Sequence, residues 1–373
     1  MDDGTEASMR KLMLIIPTLD RSGAEKQLTM LAKGLPRDRF DVSVCALTRG
    51  GPYQAELEAA GIPVTVIGKK LKLDPAAYWR LKKHIQQVQP DIVHTWLFAS
   101  NSYGRKAAFA AGVPHVLCGE RCVDPWKITH EHLIDRYLDR KTDKIVVNSS
   151  GIVDFYTQKG RDPKKFVVIP NGIDLIDGPP TRSKEELWEE LRLPPDAKMM
   201  LSVGRLWPQK RMKDLIWATE IIKRIRKDAF LVIVGDGPQR ERLIRYTEQV
   251  TIDDKVRIAG PRTDVADFMK HATLFMLASG YEGQSNALME AMATGLPVAV
   301  SDIPGNRDLI THDENGYLVG LGQRTEYSRF ANFLLEDEAL RARFAEAARK
   351  TIAEQFSVQQ MIDRHAALYE SLG

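Results

Sequence analysis

The sequence predicts an α/β protein made of two doubly wound, parallel-sheet domains. Three observations carry that expectation. Short apolar strands and amphipathic helices alternate along the whole chain. The strands are apolar on both faces, as strands covered by helices on either side must be. The pattern breaks at Pro170-Asn171-Gly172 and Gly178-Pro179-Pro180, and 373 residues exceed one ordinary core.

The elements follow in order. Residues 11–17 read as a buried strand and residues 23–34 as the helix after it. Strands at 41–47 and 62–67 come next. Residues 75–89 form a helix whose Ala77, Tyr78, Leu81, Ile85 and Val88 recur at the helical period. Strands at 91–95, 113–118 and 144–148 have helices between them, and a short strand at 166–169 closes this half. The second half repeats the scheme, with strands at 199–203, 230–234, 255–258, 273–277 and 297–300. Helices such as 213–226 and 285–294 connect them. The expected division is a first domain over 1–175, a second over 176–356, and a last helix, 357–373, crossing back to the first.

Composition sets limits on function. A hydrophobic share of 43% and a charged share of 28% are those of a globular chain in water. No apolar run is long enough to span a bilayer. Residues 12–17 are too few for a signal peptide and lead straight into a strand–helix unit, so a cytoplasmic protein is expected. Three cysteines, Cys45, Cys118 and Cys122, give no disulfide framework, as in a reducing compartment. Cys118 and Cys122 have no second pair to complete a zinc site and read as free thiols. Net charge is +3, divided as +7 over residues 1–170 and −4 over 171–373. No nucleic-acid motif accompanies that charge, and no nucleic-acid partner is expected.

Ligands of doubly wound sheets bind at the carboxyl ends of the strands, which places the site in a cleft between the two domains. Four segments fall at such ends. Ser22-Gly23-Ala24-Glu25 opens a helix with no side chain in the way of an incoming phosphate. Gly204-Arg205-Leu206-Trp207-Pro208-Gln209-Lys210 puts a guanidinium and an ammonium on one loop, enough to neutralise a diphosphate; it reads equally as a solvated basic loop. Val234-Gly235-Asp236-Gly237-Pro238 lets a ligand ring pack on the backbone, or is a tight turn into a helix. It lacks the three-glycine dinucleotide fingerprint, which disfavours a nicotinamide cofactor.

The fourth segment, Glu282-Gly283-Gln284-Ser285-Asn286-Ala287-Leu288-Met289-Glu290, says most. A strand gives way to a polar loop and a helix start, whose N–H groups face an anion. Two fixed acids repel bare phosphate but suit a phosphate ester with hydroxyl groups to bind, as in a sugar nucleotide. The alternative is a capped helix start with a solvated Glu290.

Taken in this order, the segments resemble a retaining glycosyltransferase of family 4, the group 1 glycosyltransferases. The matching stretches are Ser22-Gly23-Ala24-Glu25, Asp91-Ile92-Val93-His94, Asn171-Gly172-Ile173-Asp174, Gly204-Arg205-Leu206 with Lys210, Gly235-Asp236-Gly237, and Glu282 through Pro297. Together they cover nearly the whole chain. The resemblance implies the GT-B fold, two Rossmann-like domains facing a central cleft. It implies a nucleoside-diphosphate sugar donor, UDP-linked by preference, and transfer with retention to an acceptor hydroxyl. Glu282, Arg205 and Lys210 would form the catalytic group, with Arg205 and Lys210 on the diphosphate and Glu282 on the sugar hydroxyls. Gly283, Gln284, Ser285 and Asn286 would line the sugar–phosphate junction, and Glu290 would accept from the ribose. Gly23 would approach the diphosphate, and Gly235 and Arg262 would lie near the base.

Breaking a sugar–phosphate bond builds negative charge on the diphosphate, which preorganised cations and helix-start amides stabilise. No Asp-x-Asp metal motif occurs, so Arg205 and Lys210 are expected to replace a metal, and no cofactor is expected. In the resembled family the acceptor attacks from the leaving-group face, and a donor phosphate oxygen takes its proton.

The chain departs from the family on the acceptor side. Where many members carry a histidine it has Gly119-Glu120-Arg121-Cys122, which makes Glu120 an acceptor-facing acid and Arg121 a further phosphate or acceptor contact. His94 partly substitutes for the missing histidine or is structural. Ser285 stands for a common proline, and Arg211 for the glycine after the lysine. Trp126 and His130 are expected on the acceptor side.

Lys69, Lys70 and Lys72 precede a helix bearing Trp79, Lys82 and Lys83, a segment suited to an anionic membrane surface and a lipid-linked acceptor, or else simply solvated. Rival readings are a glycoside hydrolase, a sugar-nucleotide epimerase or phosphorylase of the same fold, and a non-catalytic sugar-nucleotide-binding subunit. A hydrolase shares the two carboxylates but needs no diphosphate clamp.

Overall fold

Leu12, Leu14 and Ile16 pack into one cluster and Met13 and Ile15 into another, so the opening strand has apolar cover on both faces. Each such side chain contributes about 1.5–3 kcal/mol on burial. A computed structural model describes residues 9–372. They form two units, one ending at Gly172 and resuming at Val358, the other spanning Ile173–Ser357.

The first unit holds seven strands: β1 (Arg10–Ile16), β2 (Phe40–Ala46), β3 (Val64–Val66), β4 (Ile92–Trp96), β5 (His115–Glu120), β6 (Lys144–Val147) and β7 (Phe166–Val168). Their order is β3-β2-β1-β4-β5-β6-β7, every pair parallel. The order reverses between β1 and β4, where Leu14 lies opposite His94.

The helix Pro75–Val88 starts at Asp74, whose side chain accepts from the Ala77 N–H, and buries Ala77, Leu81 and Ile85 as its apolar stripe requires. The final helix, Val358–Glu370, buries Met361, Ile362, Ala366 and Tyr369 in the same cluster as β1. It lies so close to the helix Gly23–Gly34 that a Cβ on Gly34 would stand 2.1 Å from Ile362 Cδ1.

The second unit holds β8 (Lys198–Val203), β9 (Ala229–Val234), β10 (Val256–Gly260), β11 (Leu274–Leu277), β12 (Val298–Ser301) and β13 (Tyr317–Val319). Their order is β10-β9-β8-β11-β12-β13, again all parallel, with the reversal between β8 and β11. Val232 and Val234 pack on one face of this sheet and Leu231 and Ile233 on the other. The expected pair of doubly wound parallel sheets is what the chain forms. Two details differ: the strand expected at 62–67 is only three residues long, and β13 has no counterpart in the sequence reading.

Candidate functional site

The reversal between β8 and β11 opens the sheet edge-on, and the loops leaving these two strands meet there. Gly280 N–H donates to Gln209 O at 2.8 Å, and the Gln209 amide returns a bond to Tyr281 O at 2.7 Å. Across the same junction Lys210 is ion-paired with Glu282. Ser285 caps the helix Asn286–Thr294 by accepting from the Leu288 N–H, and Glu290 lies in the second turn. Gly295, with φ of +80°, ends that helix.

Close backbone approach holds these loops. Gly235 has φ of +139°, and a Cβ there would stand 2.0 Å from Gly204 O. Gly305 touches the Gly283 carbonyl so closely that a Cβ would fall 1.7 Å from its oxygen. Only glycine fits either place. Arg211 adopts φ of +50°, a left-handed conformation that explains why a glycine suits this position. Its Nε donates to Asp214 Oδ2 at 2.7 Å, which holds the guanidinium.

Lys210, Glu282, Gly283, Gln284, Ser285 and Asn286 are thus drawn together by β8, β11 and the helix after it. Arg205 stands on the same β8 loop and is exposed, 6.0 Å over the Trp207 ring, with no carboxylate at ion-pair distance among the described residues. Arg262 is not available in the same way. It donates to Asp264 at 2.8 and 2.6 Å and to Glu190, so its fork is taken up by carboxylates. Gly23 begins its helix in the first unit, directly after β1.

The acceptor-side candidates separate. His94 is fully buried, with Nδ1 2.8 Å from the Tyr369 hydroxyl. Burial, with His365 and Arg121 nearby, pushes its pKa well below the usual imidazole value. Glu120 was expected to face an acceptor, but its carboxylate lies inside, accepting from Arg161 Nη1 at 2.8 Å and facing Lys127 Nζ at 3.5 Å. The physical reason is a buried ion cluster. Arg105 bridges Asp135 and Asp139 at 2.7 Å each, Arg161 also bonds Asp139, and Lys127 reaches Asp135 at 3.1 Å.

Arg121 stacks 4.4 Å over the Trp96 ring and donates to Asn171, while its Nε and Nη1 have no hydrogen-bond partner among the described residues. Burial draws its pKa down to about 9. Trp126 is exposed and donates to Asp124 at 3.1 Å, and His130 is exposed beyond it. Among the described residues no group of three or more His, Cys, Asp or Glu is placed to hold a metal ion.

Comparison with known proteins decides the family. The model for glycosyl transferases group 1 matches residues 183–351, and that for glycosyltransferase family 4 matches residues 21–176. The chain belongs to the group 1 glycosyltransferases of family 4. A UDP-Gal:α-D-GlcNAc-diphosphoundecaprenol α-1,3-galactosyltransferase of Escherichia coli is 28% identical over 368 residues, covering 93% of each chain. A diphospho-undecaprenol-linked 4-α-N-acetylgalactosaminyltransferase of Campylobacter jejuni is 28% identical over 364 residues, covering 93% of this chain and 96% of that one. The crystal structure of Anabaena HepE in complex with UDP superposes with a TM-score of 0.83 at 22% identity, over 97% of this chain and all of that one. That likeness establishes the GT-B fold of this glycosyltransferase.

Three features of the transferase were not drawn from its sequence. Gly305 follows Pro304 after β12 and sets the height of the Gly283 loop; that Pro-Gly pair after a strand is the signal that marks it. Asn306 ties the same turn back, donating to Ser301 O at 2.8 Å. The buried ion cluster was masked because Arg105, Asp135 and Arg161 read as ordinary surface charge. Its signal is the spacing of Glu131, Asp135 and Asp139, four apart on one side of a helix.

Proposed function

We propose that this glycosyltransferase moves a sugar from a UDP-sugar to a hydroxyl of a lipid-linked or surface-polysaccharide glycan, with retention and without a metal. The observation that carries the reading is the meeting of Lys210, Glu282 and the Ser285 helix start at the reversal of the second sheet. Lys210 and Arg205 would carry the diphosphate, aided by the amides of Gly283, Gln284 and Ser285 at the positive end of the helix. Glu282 would bind sugar hydroxyls, and Glu290 the ribose.

In the step itself the acceptor oxygen bonds to the anomeric carbon while the carbon–oxygen bond to phosphate breaks. The diphosphate leaves with the bonding pair, and a phosphate oxygen takes the acceptor proton. Cations fixed before the charge develops stabilise it without reorganisation.

Support for the donor and acceptor comes from the relatives. HepE is bound to UDP and, in another crystal, to UDP-glucose. The Escherichia coli enzyme is named for UDP-Gal and a diphosphoundecaprenol acceptor. We assign the acceptor to the first unit and the donor to the second. Lys69, Lys70, Lys72, Trp79, Lys82 and Lys83 are assigned to an anionic membrane surface, from the cytoplasmic side. No helix among the described residues is long and apolar enough to cross a membrane.

The test is incubation with UDP- and GDP-sugars and a membrane lipid extract, with EDTA present. Release of UDP coupled to a glycosylated lipid is expected. Tight UDP binding without turnover of any donor would instead favour a binding subunit, and turnover that needs added magnesium would end the metal-free part.

A further inference from the structure

The helix Thr129–Asp139 is turned inside out. Its acids Glu131, Asp135 and Asp139 are all buried. Asp135 and Asp139 neutralise Arg105 and Arg161, and Glu131 accepts from the Ile128 N–H at 3.0 Å. The opposite face carries Leu133, Ile134 and Tyr137, which are 54%, 42% and 69% exposed. A surface helix ordinarily does the reverse, burying its apolar stripe and turning its charge to water. The cations stay outside: Arg136 and Arg140 are exposed, as is Lys141 just beyond. With every acid of the helix drawn inward, the outer face is apolar and positive.

The surface continues past the helix. Lys72 Nζ lies 3.8 Å from Glu131 Oε1, which brings Leu71 and Leu73, 66% and 81% exposed, alongside the helix start. Trp126 and Ile128 are each more than half exposed just before it. A recess of about 540 Å³ borders the helix; Leu133, Tyr137, Arg136 and Arg140 stand in its wall with Lys165 and one exposed acid, Asp162. Aromatic and aliphatic side chains set among cations match the boundary between acyl chains and anionic headgroups. The helix itself turns no acid outward, and its cations complement that negative surface.

We propose that this face of the first unit docks on an anionic lipid bilayer. Leu133, Ile134 and Tyr137 enter the interface, while Arg136, Arg140 and Lys141 meet the headgroup phosphates. The proposal stands on this helix and goes beyond the basic segment at Lys69–Lys83; it does not depend on the donor site. Each cation held at such a surface strengthens binding about fivefold, and added salt weakens it.

The test is flotation of the full chain with vesicles of phosphatidylcholine alone or mixed with phosphatidylglycerol. The chain is expected to float with the mixed vesicles and stay behind with the neutral ones. Leu133→Ser with Tyr137→Ser should lower partition about tenfold by removing buried apolar area. Arg136→Gln with Arg140→Gln should lower it about 25-fold through two lost cations. All these side chains are exposed, so melting curves should match the parent. Failure of the parent to float with anionic vesicles would overturn the proposal, as would variants that float equally well. A parent that dimerises through this face without binding vesicles would overturn it too. Vesicle binding by a chain that binds no UDP would leave it standing and end the proposed donor site instead.

Discussion

The Lys210 ammonium is ion-paired with the Glu282 carboxylate, and each side chain is 11% exposed. Loops from the adjacent strands β8 and β11 are thereby held by opposite charges in a place with little water to screen them. On the proposed function, an arriving diphosphate competes with Glu282 for Lys210 and leaves the carboxylate to the sugar hydroxyls.

Lys210→Ala should therefore cost about 3–4 kcal/mol of transition-state stabilisation, or roughly 10²–10³ in turnover. Glu282→Ala should lower kcat more than it raises the donor KM. UDP release under saturating donor separates the two, and an effect of Glu282→Ala confined to KM would contradict its role.

Glu290→Ala should weaken UDP binding by about 1.5–3 kcal/mol, the worth of hydrogen bonds to a charged group, with kcat little changed. Calorimetric titration with UDP reads this directly. Unchanged affinity would remove Glu290 from the ribose.

Gly305→Ala puts a methyl 1.7 Å from the Gly283 oxygen, so one of two backbones must move. We expect a loss of about 1–3 kcal/mol in stability and weaker UDP binding, because the Gly283 loop shifts with it. A variant with parental melting temperature and affinity would show that the turn and the loop are not mechanically linked.

Arg105→Met removes the cation between Asp135 and Asp139 and leaves buried negative charge uncompensated. The expected cost is about 3–5 kcal/mol, read as a lower urea midpoint. Asp135 shows what holds the cluster: burial raises its pKa, but Lys127 and Arg105 outweigh burial and bring it below the usual carboxylate value.

Asp264 sets an acid limit. A hydrogen bond from Arg262, opposed by burial and helped by Arg182, holds its carboxyl well below the usual range. A depressed folded pKa contributes stability that is present above the unfolded value of about 3.9 and is lost as pH falls through the folded one. Asp264→Asn should be less stable at neutral pH and lose less on acidification, as measured by urea midpoints across that range.

Much of the architecture was legible because buried parallel strands are continuous apolar runs. Residues 12–16 are Leu-Met-Leu-Ile-Ile, and no other element satisfies such a run so briefly followed by a helix. The three-residue β13 was not legible, since Tyr317-Leu318-Val319 is too short to show a period and its pairing with β12 depends on distant residues. The pairing of Lys210 with Glu282, 72 positions apart in sequence, follows from strands that are neighbours in space, as Phe275 and Leu201 are opposite. Spacing alone names such residues but does not join them. The inward acids of the Thr129–Asp139 helix defeated the rule that charge faces water, because their partners Arg105, Lys127 and Arg161 all lie outside it.

The last helix has a consequence for how the polypeptide is made. Tyr369 bonds His94 through its hydroxyl and receives Arg10 at its carbonyl at 2.8 Å, so the amino-terminal sheet is finished by the end of the chain. During synthesis the contiguous stretch 173–357 emerges whole before the earlier residues have their final cover. The portion translated second is thus able to fold first, and a stop codon near 357 would leave the opening half without its closing piece.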